Sequence, residues 1–194
     1  MLWKRSLIMY DKETSSYWSQ ILGRSMDGEL LGKTLEQIPA VITDWDHWKR
    51  SHPTTTVLWM SRSHKAFTVN YYQGYHNYVL GISTESGAYA WRLSDLLSRP
   101  VLNDSLDSKP VVVAFDERSV TARLYSRKLN DKILEFDFVD NQMIDTATKS
   151  HWDPVSGKCV FGEHLDKRLQ PLPAFISFFD AWKRFQPESK FWNN

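Results

Sequence analysis

Residues 9–18 read Met9-Tyr10-Asp11-Lys12-Glu13-Thr14-Ser15-Ser16-Tyr17-Trp18, and residues 143–152 read Met143-Ile144-Asp145-Thr146-Ala147-Thr148-Lys149-Ser150-His151-Trp152. Met, Asp, Thr, Ser and Trp recur at a constant shift of 134 positions. The match continues without a gap from residue 9 to 58 (the first segment) and from 143 to 192 (the second segment), with nineteen identities. A repeat this regular predicts an internal duplication, so we expect both segments to fold alike.

Each segment reads as strand, hairpin turn, strand, glycine-punctuated strands and a short helix. Asp, Ser and Thr between apolar residues favour hairpin turns. Thr43-x-x-Asp46 and Ser177-x-x-Asp180 have the spacing of a helix capping box, and Pro53 and Pro187 follow the helices. We therefore predict a β-rich α+β fold, internally duplicated, in which strand-hairpin-strand-helix units are related by a pseudo-twofold axis.

Between the two segments, the sequence contains a tyrosine-rich connector and predicts further strands. Residues 1–58 are interpreted as a partial first repeat, 59–78 as the connector and 79–194 as a complete second repeat, packed as one globular unit. Strands are predicted at 79–82, 88–91, 111–115, 122–125 and 133–136, and a short capped helix at 94–99 before Pro100.

Charge and apolar runs exclude several classes of protein. The formal net charge is +1, without the basic excess that is typical of proteins that bind a phosphate backbone, so no nucleic-acid partner is expected. No apolar run reaches the roughly 18 residues of a membrane-spanning helix, and residues 1–5 do not resemble a signal peptide, although the compartment stays open. The single cysteine, Cys159, cannot form an internal disulfide and is predicted to be a buried thiol.

Several motifs in the first segment and in the middle of the chain carry a family resemblance. They are residues 7–11, 14–20, 28–35, 45–49 and 52–53, followed by 80–82, 88–90 and 101–104. Together they resemble the prokaryotic family called domain of unknown function 3179. The resemblance implies no assigned activity, and relatives often look exported. Many relatives carry a Tyr-Cys-Pro-Leu-Cys-like segment; residues 112–116 read Val-Val-Ala-Phe-Asp instead, so no thiol or metal role carries over.

Two glutamates are the candidates for catalysis. Glu29 and Glu163 follow Gly28 and Gly162, and Lys33 and Lys167 lie four residues later. Placed across a pseudo-twofold cleft, the glutamates could act as an acid/base pair. The alternative is a surface ion pair in each segment, since a spacing of four keeps both side chains on one face of a strand.

Aromatic residues supply the candidates for ligand binding, which are Tyr72, Tyr75, His151, Trp152 and Trp18. The alternative is packing: paired across the segments, Trp18, Trp48, Trp152 and Trp182 are expected in equivalent core positions. The six histidines show no tight ligand spacing, and no phosphate loop or dinucleotide fingerprint is present, so we predict no metal and no cofactor.

These observations favour a non-catalytic binding or structural module for a small molecule or an envelope polymer. The alternatives are an enzyme that uses Glu29 and Glu163 in an inter-repeat cleft, and a scaffold without a ligand. Shifting residues 79–142 back by 134 gives mostly positions before residue 1, so we expect the first copy to lack a front half. We therefore expect an exposed strand edge or apolar patch near residues 1–10, with self-association or a missing N-terminal half as the way to cover it.

Overall fold

The computed structural model describes residues 2–3, 6–58 and 74–192. Within these ranges the chain forms seventeen strands, arranged in five sheets, and three short α-helices. The prediction of a β-rich fold with few helices is therefore confirmed. No helix in the described ranges is both long and apolar enough to cross a membrane.

The first segment begins in a four-stranded antiparallel sheet. Its strands follow chain order: β1 (Leu2–Trp3), β2 (Ser6–Asp11), β3 (Ser16–Ser19) and β4 (Arg24–Asp27). Met9 pairs with Trp18, and Trp18 pairs with Ser25 across a bulge next to Tyr17. The turn between β2 and β3 forms because Asp11 accepts hydrogen bonds from the Glu13 N–H and the Thr14 hydroxyl.

A second four-stranded antiparallel sheet lies in residues 136–161. Its strands are β12 (Phe136–Val139), β13 (Gln142–Asp145), β14 (His151–Trp152) and β15 (Cys159–Phe161). Met143 pairs with Trp152, and Trp152 pairs with Cys159 across a bulge next to His151. These pairings are those of the first sheet shifted by 134 positions. The outer hairpins differ, since Leu2 pairs with Leu7 whereas Phe136 pairs with Asp145.

The chain after each sheet also keeps the shift of 134. The Leu35 N–H donates to the Gly23 carbonyl at 2.8 Å, and the Leu169 N–H donates to the Gly157 carbonyl at 2.9 Å. Isolated bridges join Arg24 to Thr34 and Lys158 to Arg168. The helices α1 (Trp45–Ser51) and α3 (Phe179–Phe185) then occupy equivalent positions.

The middle of the chain supplies two sheets and a short strand pair. One sheet has the order β16 (Phe175–Phe178), β5 (Tyr78–Thr84), β6 (Gly87–Arg92) and β17 (Lys190–Phe191), with β17 parallel to β6. The other contains β7 (Val101–Leu106), β8 (Lys109–Asp116) and β9 (Thr121–Ser126), and the short pair is β10 (Lys128–Leu129) with β11 (Lys132–Ile133).

Four of the five strands predicted in this region lie within β5, β6, β8 and β9. The fifth prediction, one strand over 133–136, is wrong. The chain is instead divided between β11 and β12, because the Leu134 N–H bonds to the Arg127 carbonyl and Leu134 turns into the core.

The helix boundaries predicted from capping boxes need correction. The N-cap of α1 is Asp44, not Thr43, and its carboxylate accepts from the His47 N–H. The N-cap of α3 is Phe178, which makes no side-chain cap. The helix α2 spans Leu93–Ser98, so it begins one residue before the predicted start, and it buries Leu93 and Leu96. In α2 and α3, burial of apolar residues fixes the start more strongly than the cap pattern does, whereas α1 buries no residue and begins at its side-chain cap.

Three clusters form the core. The first lies among β5 to β9 and α2, the second joins β8 and β9 to the sheet of the second segment, and the third places α3 on β5 and β6. Cys159 is buried in the second cluster, as predicted, and burial raises the pKa of its thiol.

The four tryptophans expected in the core are not equivalent. Trp18, Trp152 and Trp182 are buried, but Trp48 is only half-buried, so the expectation is wrong for Trp48. Trp182 packs on Gly81 of β5. Among the described residues, no strand pairs with the stretch before α1 in the way that β5 pairs with β16. Trp182 is therefore more buried than Trp48 because a paired strand lies beside it, and not because the two tryptophans hold different positions in their segments.

Candidate functional site

A groove of about 810 Å³ separates the first segment from β9 and the second segment. One wall is the stretch before α1 together with α1 itself, and the other wall comes from β9 and two loops of the second segment. We call it the inter-segment groove; its lining residues are Pro39, Ala40, Val41, Ile42, Thr43, Asp44, Trp45, Trp48, Ser51, His52, Arg123, Val155, Ser156, Arg168 and Pro171.

The near wall leads into a capped helix, and its backbone is extended at Asp44. Asp44 begins α1 by accepting hydrogen bonds from the backbone N–H and the ring Nδ1 of His47. Burial alone would raise the pKa of Asp44, but these bonds outweigh it and hold the pKa below its ordinary value. The carboxylate is therefore ionised and already occupied by its own helix.

Two indoles line this wall. Trp45 is 47% exposed. The Trp48 ring stacks on His52 with a centroid distance of 3.8 Å, and its Nε1 donates to the Thr55 hydroxyl at 2.9 Å. Trp48 is thus held in one orientation by its neighbours while it borders the groove. A fixed aromatic side chain beside open space offers apolar contact to a ligand at little entropic cost.

The far wall carries two guanidinium groups. Arg123 Nη1 donates to the Ala40 carbonyl at 3.3 Å, which ties the two walls together. Arg168 Nη1 donates to the Ser156 carbonyl at 3.0 Å. Neither arginine forms an ion pair with a carboxylate of the described ranges. Each keeps further N–H donors for a ligand, since a guanidinium has five.

The loop that carries Val155 and Ser156 is anchored from below. The Tyr125 hydroxyl lies 3.0 Å from the Pro154 carbonyl and 2.8 Å from the Val155 carbonyl. Burial raises the pKa of Tyr125 to about 12, so this phenol remains a hydrogen-bond donor over the physiological range of pH. The far wall is therefore fixed to the core.

The four candidates for catalysis lie outside the groove. Glu29, Glu163, Lys33 and Lys167 are all exposed, and none lines the groove. The carboxylate of Glu163 is 3.9 Å from Lys132 Nζ, so its ion-pair partner is Lys132 and not Lys167. Neither glutamate lines the groove or any of three smaller pockets, at Phe178, Trp3 and Trp91, in the described part of the chain.

The aromatic candidates lie mostly in packed positions. Tyr75 is half-buried and packs edge-on against Phe115. Trp152 is buried and donates to Asp145, and Trp18 is buried in the first sheet. His151 is half-buried against Phe161. Tyr72, with most of the connector, lies outside the described residues.

Sequence reasoning missed the groove itself. The sequence predicts Trp48 in the core, and Arg123 and Arg168 belong to no motif. Arg123 meets Ala40 across 83 positions, and local patterns contain no signal for such a contact. Sequence reasoning also missed a third hairpin turn, between β8 and β9. There Asp116 accepts hydrogen bonds from Ser119 as Asp11 does from Thr14, so the Asp-x-x-Ser spacing was a signal for this turn.

The sequence profile of one protein family, described as a protein of unknown function (DUF3179), matches the chain over residues 1–78 and again over residues 76–189. The chain belongs to the DUF3179 family. This confirms the resemblance seen in the sequence motifs. Searches of the curated proteins and of the solved structures returned no match. In this DUF3179 protein, the near wall of the groove lies in the first matched range and the far wall lies in the second.

Proposed function

We propose that the protein is a non-catalytic binding module and that the inter-segment groove is its site. The observation that carries the proposal is the lining of this groove, where two tryptophans face two arginines that have no acidic partner in the described ranges. A volume of about 810 Å³ is within the range of ligand sites. It accommodates a small molecule or a short stretch of an envelope polymer.

The chemistry of the lining favours binding over catalysis. Asp44 is the one carboxylate among the lining residues, and His47 already occupies it. An acid/base pair needs two groups with access to the same reacting atoms. The exposed positions of Glu29 and Glu163 do not favour the enzyme alternative. A scaffold without a ligand is the outcome in which nothing binds in the groove.

The proposal includes the origin of the two walls. We propose that the two segments arose by duplication and are related by a pseudo-twofold axis. Its support is the shift of 134 positions shared by the pairings Met9–Trp18 and Met143–Trp152 and by the helices α1 and α3. Superposing the segments in an experimental structure tests this, and a different strand order in the two would contradict it.

A thermal-shift screen of the intact chain against small molecules and soluble polymer fragments tests the binding function. Hits are then measured by calorimetry on Trp48→Ala and Arg168→Ala, with Leu31→Ala as the control because Leu31 is exposed outside the groove. We expect both groove substitutions to weaken binding and the control to leave it unchanged. Equal binding by all variants, or no hit at all, would contradict the proposed site.

A further inference from the structure

In the second segment, the stretch that leads into α3 is a strand with a paired neighbour. β16 (Phe175–Phe178) pairs with β5, with Ile176 opposite Leu80 and Ser177 opposite Val79. At the shift of 134, the counterpart of β16 is the stretch 41–44, which leads into α1 as β16 leads into α3. This stretch is extended at Asp44 but forms no strand.

In the second segment, the helix α3 also packs on β5. Trp182 is fully buried and lies so close to Gly81 that a Cβ atom there would be 2.5 Å from the indole ring. The counterpart of Trp182 is Trp48, which is half-buried and lines the groove. Likewise Ala174 is buried in the core, whereas its counterpart Ala40 is exposed on the groove wall.

The near wall has unused hydrogen-bonding groups. The backbone groups of Val41, Ile42 and Thr43 make no backbone hydrogen bond within the described ranges. The Thr43 hydroxyl is buried and has no partner there. Consecutive residues with free N–H and C=O groups offer an edge to which another strand can add.

From these correspondences we infer that the inter-segment groove binds an extended polypeptide segment, which pairs as a β-strand with residues 41–43 and places a glycine against Trp48. The inference rests on the proposed function and names its ligand class. It is the arrangement of β5 against β16 and Trp182, transferred to the first segment. Arg123 and Arg168 lie on the opposite wall and donate to carbonyl or carboxylate oxygens of the bound segment.

The free backbone groups of residues 41–43 favour a peptide over a sugar polymer as the ligand. A strand offers alternating N–H and C=O groups at the spacing of its partner, and only a polypeptide supplies both in this order. The residue opposite Trp48 must be small, because any side chain there would meet the indole as a Cβ at Gly81 would meet Trp182. The ligand is therefore a peptide with an internal glycine.

The test uses the intact chain and a synthetic peptide with the sequence of residues 77–84, Asn-Tyr-Val-Leu-Gly-Ile-Ser-Thr. NMR spectra of the labelled chain report which backbone amides respond on titration. We expect shifts at residues 40–48 and at the arginine side chains of the groove. A second peptide, with valine in place of its glycine, should bind at least about tenfold more weakly.

The outcomes separate the inference from the proposed function. Shifts at Phe175–Phe178 alone would mean that the peptide exchanges with β5, and would overturn the inference. Equal affinity for the two peptides, or no binding of either, would also overturn it. If another ligand from the screen then loses affinity on Trp48→Ala, the proposed function stands without the peptide. If no ligand depends on Trp48 or Arg168, both fall.

Discussion

Asp145 is a fully buried carboxylate, and its donors explain why it is tolerated. It accepts hydrogen bonds from Thr148 N–H at 2.8 Å, Thr148 Oγ1 at 2.7 Å, Ser150 N–H at 3.2 Å and Trp152 Nε1 at 3.3 Å. Burial alone would raise its pKa, but the bonds from Thr148 and Trp152, together with the nearby His164, outweigh burial and lower the pKa. The ionised form therefore stabilises the hairpin between β13 and β14.

We expect Asp145→Asn to lower the free energy of unfolding at pH 7 by about 2–3 kcal/mol, since it weakens charge-assisted bonds at a buried site. The folded pKa lies below the unfolded one, so this stability is present above about pH 4 and is lost as the pH falls through the folded value. Urea unfolding at pH 7 and pH 3 measures it. Asp11→Asn, at the less buried counterpart, should cost less; equal losses would contradict the account.

The tryptophans give a second comparison at the residue scale. Trp152 is buried in the core, whereas Trp48 is half-buried beside the groove. We expect Trp152→Ala to cost about 3–5 kcal/mol of unfolding free energy, and Trp48→Ala clearly less, because only the first leaves a closed cavity. Chemical denaturation of both variants checks this. A loss under about 1 kcal/mol for Trp152→Ala would argue against core burial.

The sequence predicted Trp18, Trp152 and Trp182 in the core because large apolar residues at paired positions most simply serve packing. It could not predict the exposure of Trp48, whose position in its segment is the same as that of Trp182. Burial depends on what lies opposite a residue, and that is set by parts of the chain that local patterns do not join.

At the scale of elements, the contact between α3 and β5 depends on one glycine. A Cβ atom on Gly81 would be 2.5 Å from the Trp182 ring, and no flexible end is available to move. We expect Gly81→Ala to destabilise the chain by about 1–3 kcal/mol through overpacking. Denaturation of Gly81→Ala alone and with Trp182→Leu measures the coupling. Additive losses in the double variant would contradict a direct contact.

Most strands and turns were predictable because their signals are local. These signals are short runs of apolar residues for the strands and the Asp-x-x-Thr spacing for the turns. Sheet order was not predictable. β16 pairs with β5 almost a hundred positions away, as with Ile176 opposite Leu80, and β17 adds parallel to β6. Such pairings are chosen by packing of the whole chain, and the groove depends on them. This is why its walls could not be assembled from the sequence.

For the whole molecule, the main contrast is between the surroundings of the two segments. Met143 is fully buried, but its counterpart Met9 is 40% exposed; Leu169 is fully buried, but its counterpart Leu35 is 51% exposed. In the second segment, residues of β8 and β9 cover this face. Leu7 and Tyr10 are also exposed, so apolar side chains are exposed where the sequence predicted a patch.

Self-association through this face stays a prediction. We expect light scattering of the intact chain to show an oligomer, and Met9→Lys with Leu35→Lys to shift it toward monomer, since a charge opposes burial of the face. Leu31→Lys is the matched control, because Leu31 and its counterpart Leu165 are both exposed. A monodisperse monomer of the unsubstituted chain would contradict the prediction.

In our proposal, the first segment repeats the path of the second but leaves open the place where the second holds a strand. Hydrogen exchange of the free, intact chain tests this by comparing the amides of residues 41–43 with those of Phe175–Phe178. The paired strand β16 should exchange slowly and residues 41–43 fast, because only the former have backbone partners within the described ranges. Equal protection of the two stretches would contradict the claim.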